Sequence, residues 1–298
     1  MKFGLALPNF ETIATRAAIA RAAQLAEDGG WDSVWVTDHV LMASDQMHPY
    51  GHLFEAMMTL AYVAGRTSRV QLGTSVLVLA ARNAVLAAKE IATLDQLSNG
   101  RVILGIAPGW NEREFGFLNA DFHRRGKIFD EQIAVMRALW TQPSPAFEGK
   151  FYKFKDTIFS PTPTQPNIPI WIGGNSDAGV KRAARLGDGW HVTGSSPETV
   201  KERFEVMRPM LASRNRPFTL SARVEVTLDG KYPIDFNGPD GSPRKRLGPT
   251  TSEMNRAIEA YQKVGVEYMV FVLRDDEIAP MEKHIQEIAR DVLSKFKE

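Results

Sequence analysis

The sequence predicts an α/β fold, a (β/α)8 TIM barrel with insertion segments, and three observations carry that expectation. Between Arg69 and Trp110 the chain reads Arg-Val-Gln-Leu-Gly-Thr-Ser-Val, then a helical run with Ala84, Ala87, Ala88, Ile91 and Leu94 on one stripe. An Asn99-Gly100 stop and a second apolar run, Arg101-Val-Ile-Leu-Gly-Ile-Ala-Pro-Gly-Trp110, follow. Two buried strands flanking one helix should be parallel, and Gly100 suits a helix end because it takes left-handed dihedrals without a Cβ clash. The unit recurs, so that eight strands alternate with eight helices, as parallel strands with helical crossovers do. The units are evenly paced and no Gly-x-Gly-x-x-Gly turn follows the first strand, which favours a closed barrel over an open doubly wound sheet. A length of 298 residues is routine for one barrel, so 1–298 reads as a single domain.

Strand one is Phe3 to Leu7, stopped by Pro8, and helix one turns Ile19, Ala22, Ala23 and Ala26 inward before Gly29-Gly30. Strand two is Ser33 to Thr37, and Phe54, Met57, Met58 and Ala61 mark helix two. The 69–110 segment supplies strands three and four and helix three. Helix four shows Phe129, Ile133, Met136 and Trp140 at helical spacing; strand five is Ile168 to Ile172. Helix five begins near Ser176 with Val180, Ala183 and Ala184, and strand six is Trp190 to Thr193. Ser196-Pro197-Glu198 is a helix start: a capping hydroxyl, a proline at the first position and an acid at the positive dipole end. Helix six carries Val200, Phe204, Met207 and Leu211. Strand seven alternates Leu220, Ala222, Val224, Val226 and Leu228. Helix seven carries Met254, Ala257, Ile258 and Tyr261 and stops at Gly265, strand eight is Tyr268 to Leu273, and the last helix carries Ile285, Ile288 and Val292.

Three segments interrupt the pacing. Residues 40–53 hold two histidines, a tyrosine and two methionines; residues 141–167 are proline-rich around an aromatic stretch that reads as a hairpin; residues 229–250 are rich in Gly and Pro and read as mobile. Loops this long in a compact domain are usually lids or disordered. Apolar residues make up 44% and charged residues 24% of the chain, ordinary for a soluble globular protein. A net charge of +1 argues against nucleic acid, which needs a concentrated basic face. The one basic cluster, Arg244-Lys245-Arg246, reads as a solvated loop. The absence of cysteine excludes disulfides, thiolate chemistry and cysteine–metal sites. His48, His52 and His123 lack metal-ligand spacing, so no metal is expected. With neither a signal-peptide core at the N-terminus nor an apolar run of membrane-spanning length, a cytoplasmic protein without a membrane partner is expected.

A barrel of this kind carries its site at the carboxyl ends of its strands. Gly173-Gly174-Asn175-Ser176-Asp177 follows strand five and opens a helix, where free N–H groups can bind phosphate or another anion; the alternative is a tight turn capped by Ser176. Asp38-His39 ends strand two. Histidine is the side chain most readily poised for proton transfer near neutral pH, and the alternative is a pair that only anchors the loop. Nothing in composition marks Ser75-Val76 at the end of strand three. Trp110, after Pro108-Gly109, is either a wall for a flat ring or a core-edge aromatic.

With these residues in view, the chain resembles the bacterial luciferase-like superfamily, which contains flavin-dependent monooxygenases and enzymes using the deazaflavin coenzyme F-420. The resemblance covers almost the whole chain. It is carried by Phe3-Gly-Leu-Ala-Leu-Pro8, Trp35-Val-Thr-Asp-His39, Gly73-Thr-Ser-Val76, Leu94-Asp-Gln-Leu-Ser-Asn-Gly-Arg101, Gly105-Ile-Ala-Pro-Gly-Trp110, Phe147-Glu-Gly-Lys-Phe-Tyr152, Trp171-Ile-Gly-Gly174 and Gly187-Asp-Gly-Trp190. It implies a flavin-like ring at the carboxyl face, with Ser75-Val76 as a non-proline cis peptide behind the ring. Asp38 and His39 would face that ring as the catalytic pair. Gly173, Gly174 and Asn175 would hold phosphate, and Gly109 and Trp110 complete the cofactor contacts. The Ser-Val pair resembles the deazaflavin-using branch. One departure stands out: the deazaflavin-dependent sugar-phosphate dehydrogenases carry an acid after strand four, where this chain has Pro108-Gly109-Trp110, which argues against such a substrate. The activity implied is an oxidoreductase using reduced deazaflavin (F-420) or flavin for hydride transfer to or from a small organic substrate. The alternatives are a reduced-FMN-dependent monooxygenase resembling the alkanesulfonate monooxygenases and, in another class, a non-catalytic flavin-binding protein. A homodimer and a separate reductase supplying reduced cofactor are compatible with the resemblance.

Overall fold

A computed structural model describes residues 1–214, 216–238 and 241–297. Its eight long parallel strands are β1 (Lys2–Ala6), β2 (Ser33–Val36), β3 (Gln71–Thr74), β4 (Val102–Ala107), β5 (Ile170–Gly173), β6 (Gly189–Thr193), β7 (Thr219–Val226) and β8 (Tyr268–Leu273). They pair in the order β3-β2-β1-β8-β7-β6-β5-β4, and β3 pairs back to β4 through Leu72↔Val102 and Gly73↔Ile103, which closes the barrel. The expected (β/α)8 barrel is what the chain forms. After a break at Ser75-Val76, Leu77–Val78 rejoins β4 opposite Ile106 and Ala107.

The crossover helices are α1 (Arg16–Asp28), α2 (Ala56–Ala64), α3 (Ala84–Leu97), a short α4 (Glu112–Phe117) before α5 (Arg125–Thr141), then α6 (Asp177–Leu186), α7 (Pro197–Ala212), α8 (Thr251–Lys263) and α9 (Ile278–Ile288). Their starts are set by caps. Asn83 accepts from the N–H of Val85 and Leu86, Ser196 precedes Pro197 and accepts from Thr199 N–H, and Thr250 forms a reciprocal box with Glu253. No helix among the described residues is long and apolar enough to cross a membrane.

Two cores result. Outward-facing strand residues such as Leu72, Leu104, Ile172 and Leu220 pack with the helices. A smaller cluster inside the barrel contains Ala6, Trp35, Ile103, Trp171, Tyr268 and Val270. Trp35 stacks on Trp171 and on His191, both with ring centroids 5.3 Å away. Glycine makes this possible: a Cβ on Gly4 or Gly73 would lie 2.2 Å from the Trp35 indole.

Two expectations are corrected. Helix two buries Met57, Leu60 and Val63, whereas Phe54, Met58 and Ala61 are exposed. Phe54 lies ahead of the helix, which begins at Ala56, and the segment is apolar all round, so spacing counted from Phe54 selects the wrong face. The 229–250 segment is not a solvated loop: Asp235–Asn237 pairs with Pro243–Lys245 as a hairpin. Arg246 is buried, its guanidinium 3.7 Å from the Phe236 ring centroid and 2.9 Å from Glu225. Positions 239 and 240 of that segment lie outside the described residues. The hairpin expected in 141–167 is present, pairing Phe147–Glu148 with Lys153–Phe154.

Candidate active site

The carboxyl end of β2 is pinned by Asn9, whose amide donates to Thr37 O at 2.8 Å and accepts from Thr37 N–H at 3.0 Å. This turns the next two residues in different directions. The His39 ring points toward α4, and its Nδ1 lies 2.7 Å from Glu114 Oε2, while Glu114 Oε1 accepts from Val40 N–H at 2.6 Å. Both side chains are almost fully buried. Burial pushes the Glu114 carboxyl up, but the His39 ring and the N–H groups of Val40 and Leu41 outweigh it and leave the group below the ordinary range. An ionised Glu114 places the imidazole proton on Nδ1 and leaves the Nε2 lone pair outward, and no hydrogen bond occupies Nε2 among the described residues. Tyr50 packs on the same ring with centroids 4.4 Å apart, and Trp110 meets it edge-on at 5.9 Å.

Asp38 turns the other way. One carboxylate oxygen accepts from Val78 N–H at 2.8 Å and the other pairs with Arg82 at 2.7 Å. Burial pushes its carboxyl up, and the Arg82 guanidinium opposes that shift. The pair therefore divides: His39 is held by Glu114 against Tyr50 and Trp110, and Asp38 fastens the chain that returns after Ser75-Val76.

Ser75-Val76 is a cis peptide bond, as the resemblance implied. Ser75 Oγ shares a 2.7 Å hydrogen bond with His191 Nε2, and His191 Nδ1 lies 2.5 Å from Ser221 Oγ. Burial lowers the His191 ring to about 3, and the nearby Arg223 charge adds to that, so the ring is neutral. Gly173 closes against the Val76 side chain, where a Cβ would meet Cγ1 at 3.2 Å. Gly174 has φ +122° and only the Gly179 Cα, at 3.7 Å, near a would-be Cβ. The Asn175 amide donates to Thr193 O at 2.9 Å and to Ser195 Oγ at 3.1 Å, joining the ends of β5 and β6. Ser176 caps α6 by accepting from Gly179 N–H. Gly109, with φ +86°, fits its turn between Val78 and Phe115, and Trp110 is 39% exposed, so it is a wall of the mouth rather than core.

The structure thus sets His39 against Trp110 and Gly173 against Val76, and ties Asp38 to Val78 and Asn175 to Thr193. Sequence reading missed Glu114. The available signal was Asn111-Glu-Arg-Glu114, a capping residue followed by acids, which marks a short helix start at the carboxyl face. It also missed Arg223, on the inward face of β7. Gly173 packs against the Val76 side chain, and Gly174 leaves the approach to the α6 N-terminus free of a side chain, an arrangement compatible with an anion such as a cofactor phosphate.

A closed parallel barrel with an imidazole–carboxylate pair and a glycine turn at its carboxyl mouth defines a (β/α)8-barrel enzyme. A family profile described as luciferase-like monooxygenase matches residues 1–231, and the chain belongs to that family. It is 32% identical to an F-420-dependent glucose-6-phosphate dehydrogenase of Kineococcus radiotolerans over 268 residues, 89% of this chain and 77% of that protein. Its fold is similar to that of an F-420-dependent secondary alcohol dehydrogenase solved with an F-420–acetone adduct (TM-score 0.81, 19% identity, 100% of this chain and 99% of that one). It is also similar to that of the coenzyme F-420 dependent tetrahydromethanopterin reductase of Methanopyrus kandleri (TM-score 0.79, 20% identity, 99% of each chain).

Proposed function

We propose that the chain is an oxidoreductase that binds coenzyme F-420 at the barrel mouth and uses it for hydride transfer to or from a small organic molecule. The observation that carries this reading is the buried His39–Glu114 pair at the end of β2, with no hydrogen bond on Nε2 among the described residues. The 32% identity to an F-420-dependent dehydrogenase supports it. The deazaflavin, when bound, supplies hydride chemistry at a ring carbon where FMN has nitrogen.

The protein's part is to bind, orient and move a proton. Gly173 and Gly174 admit the cofactor's phosphate to the α6 N-terminus. Ser75-Val76, held by His191 on one side and Gly173 on the other, backs the ring. Trp110 and Tyr50 screen His39 from water. His39 Nε2 takes or gives the proton that accompanies hydride transfer, and Glu114 stabilises the imidazolium in between. Asp38 is a positioning residue through Val78 and Arg82. Pro108-Gly109-Trp110 stands where the sugar-phosphate dehydrogenases carry an acid, and Glu114 is engaged by His39, which speaks against glucose 6-phosphate as the substrate. The test is equilibrium titration of the purified chain with F-420 and, separately, with FMN. Saturable F-420 binding supports the assignment; tight FMN binding without F-420 binding would favour the monooxygenase chemistry instead.

A further inference from the structure

Where β6, β7 and β8 end, the mouth contains a cavity of about 150 Å³ that adjoins His39 through the shared wall of Tyr50. Among the described residues, Arg223, Arg244, Arg246 and Arg274 line it with one acid, Glu225. Two of the arginines are neutralised inside the chain. Arg246 lies 2.9 Å from Glu225, and Arg274 lies 2.6 Å from Glu11 and 3.7 Å from Glu225. Arg223 is different. It donates to Thr37 Oγ1 at 2.9 Å, its Nε is sealed from solvent without a partner, and no carboxylate lies within ion-pair distance among the described residues. A guanidinium does not lose its proton in a protein, and a buried charge is costly unless it is paired. Glu225 does not meet this need, being engaged by Arg246 and Arg274.

We propose that this cavity is a subsite for an anionic oxygen group, a carboxylate or a phosphate, on the small-molecule substrate, with Arg223 as its counter-ion. The planar fork of Arg223 suits two parallel hydrogen bonds to such a group. Thr193 and Gly194 border the same cavity, and Thr193 also accepts from the Asn175 amide, so the subsite adjoins the proposed cofactor turn on one side and, through Tyr50, His39 on the other. A substrate anchored by its anion would present its remaining atoms toward the His39 side. This inference rests on the mouth being the active site, and it narrows the substrate to anionic molecules.

The test uses the full chain without cofactor. Thermal unfolding is followed while inorganic phosphate or acetate is titrated at ionic strength held constant with chloride. A saturable rise in Tm with at least one of the two is expected for the wild type, and Arg223→Met should weaken that anion's apparent affinity roughly ten- to hundredfold. Arg223→Lys, which keeps the charge but not the fork, should retain a weaker response and serves if the Met variant does not fold. F-420 is then titrated with and without the saturating anion. Unchanged F-420 affinity assigns the subsite to substrate; competition would give the cavity to the cofactor's own phosphate and overturn the proposal. A wild type that responds only as it does to chloride, or variants that respond as the wild type does, would overturn it too. The anion titration needs no cofactor, so a failure of F-420 to bind would count against the proposed function and leave this result readable.

Discussion

Asp38, His39 and Glu114, on the β2–β4 side of the mouth, all have partners within the chain, whereas Arg223 on the β7 side has no carboxylate within ion-pair distance among the described residues. The first side is a closed hydrogen-bond arrangement with one outward group, Nε2 of His39. Such an arrangement holds a proton donor or acceptor in one orientation and asks little of the ligand. The β5–β8 side carries the glycine pair Gly173-Gly174 and, among the described residues, an Arg223 guanidinium without a paired carboxylate, which is where we propose that ligands are held. Two contacts tie the sides together across the barrel: Ser75 to His191 and Thr37 to Arg223. We therefore propose that one half of the mouth serves chemistry and the other capture.

The comparison can be broken first at His39. With a substrate found by screening for F-420 oxidation or reduction, His39→Ala should lower turnover by roughly 10²–10⁴-fold, the usual range for a lost acid–base group. Near-normal turnover would reduce His39 to a loop anchor. Glu114→Gln comes next. It keeps a hydrogen-bonding shape beside Nδ1 but removes the charge that stabilises the imidazolium, so turnover should fall by about one to two orders of magnitude. Near-normal turnover in this variant would mean that Glu114 only supports the loop.

On the capture side, Gly174→Ala should cost about 1–2 kcal/mol of stability, because φ +122° is disfavoured for any residue with a Cβ. Chemical denaturation checks this; an unchanged midpoint would contradict the backbone geometry. A pH-dependent effect concerns the link between the sides. His191 has a pKa near 3 when folded and about 6.5 when unfolded, so between those values the unfolded chain binds more protons. Its contribution to stability is fully present above pH 6.5 and is lost as pH falls toward 3, with a slope of at most about 1.4 kcal/mol per pH unit. Glu114 adds in the same direction but lower, since a depressed carboxyl loses its contribution as pH falls through the carboxylate range. Denaturation midpoints for the wild type and His191→Asn should diverge below pH 6.5; parallel curves would show that the ring is not buried in its neutral form.

Most of the barrel was legible because its helices are one-sided. Ala84, Ala87, Ala88, Ile91 and Leu94 all lie inside, as their spacing requires. Helix two was misread because apolar residues surround it. Arg246 was misread because Gly and Pro nearby signal turns, whereas its burial depends on Phe236 and Glu225, which only the hairpin brings together. The site was legible where a residue stands beside its function in sequence, as with Asp38-His39 and Gly173-Gly174. The division of labour between Asp38 and His39 was not, because it is decided by Arg82 and Glu114, 44 and 75 residues away from their partners. Arg223 was in principle visible: the apolar alternation of β7 places Ser221, Arg223 and Glu225 together on the opposite, inward face.

The central claim is that chemistry and capture are separate halves of one mouth, and the F-420 dissociation constant of two variants tests it most directly. His39→Ala should bind F-420 within about threefold of the wild type, while Gly174→Ala should bind it roughly tenfold more weakly, as expected when one charge-assisted contact to a phosphate is lost. Equal losses in both variants, or a loss in His39→Ala alone, would contradict the division.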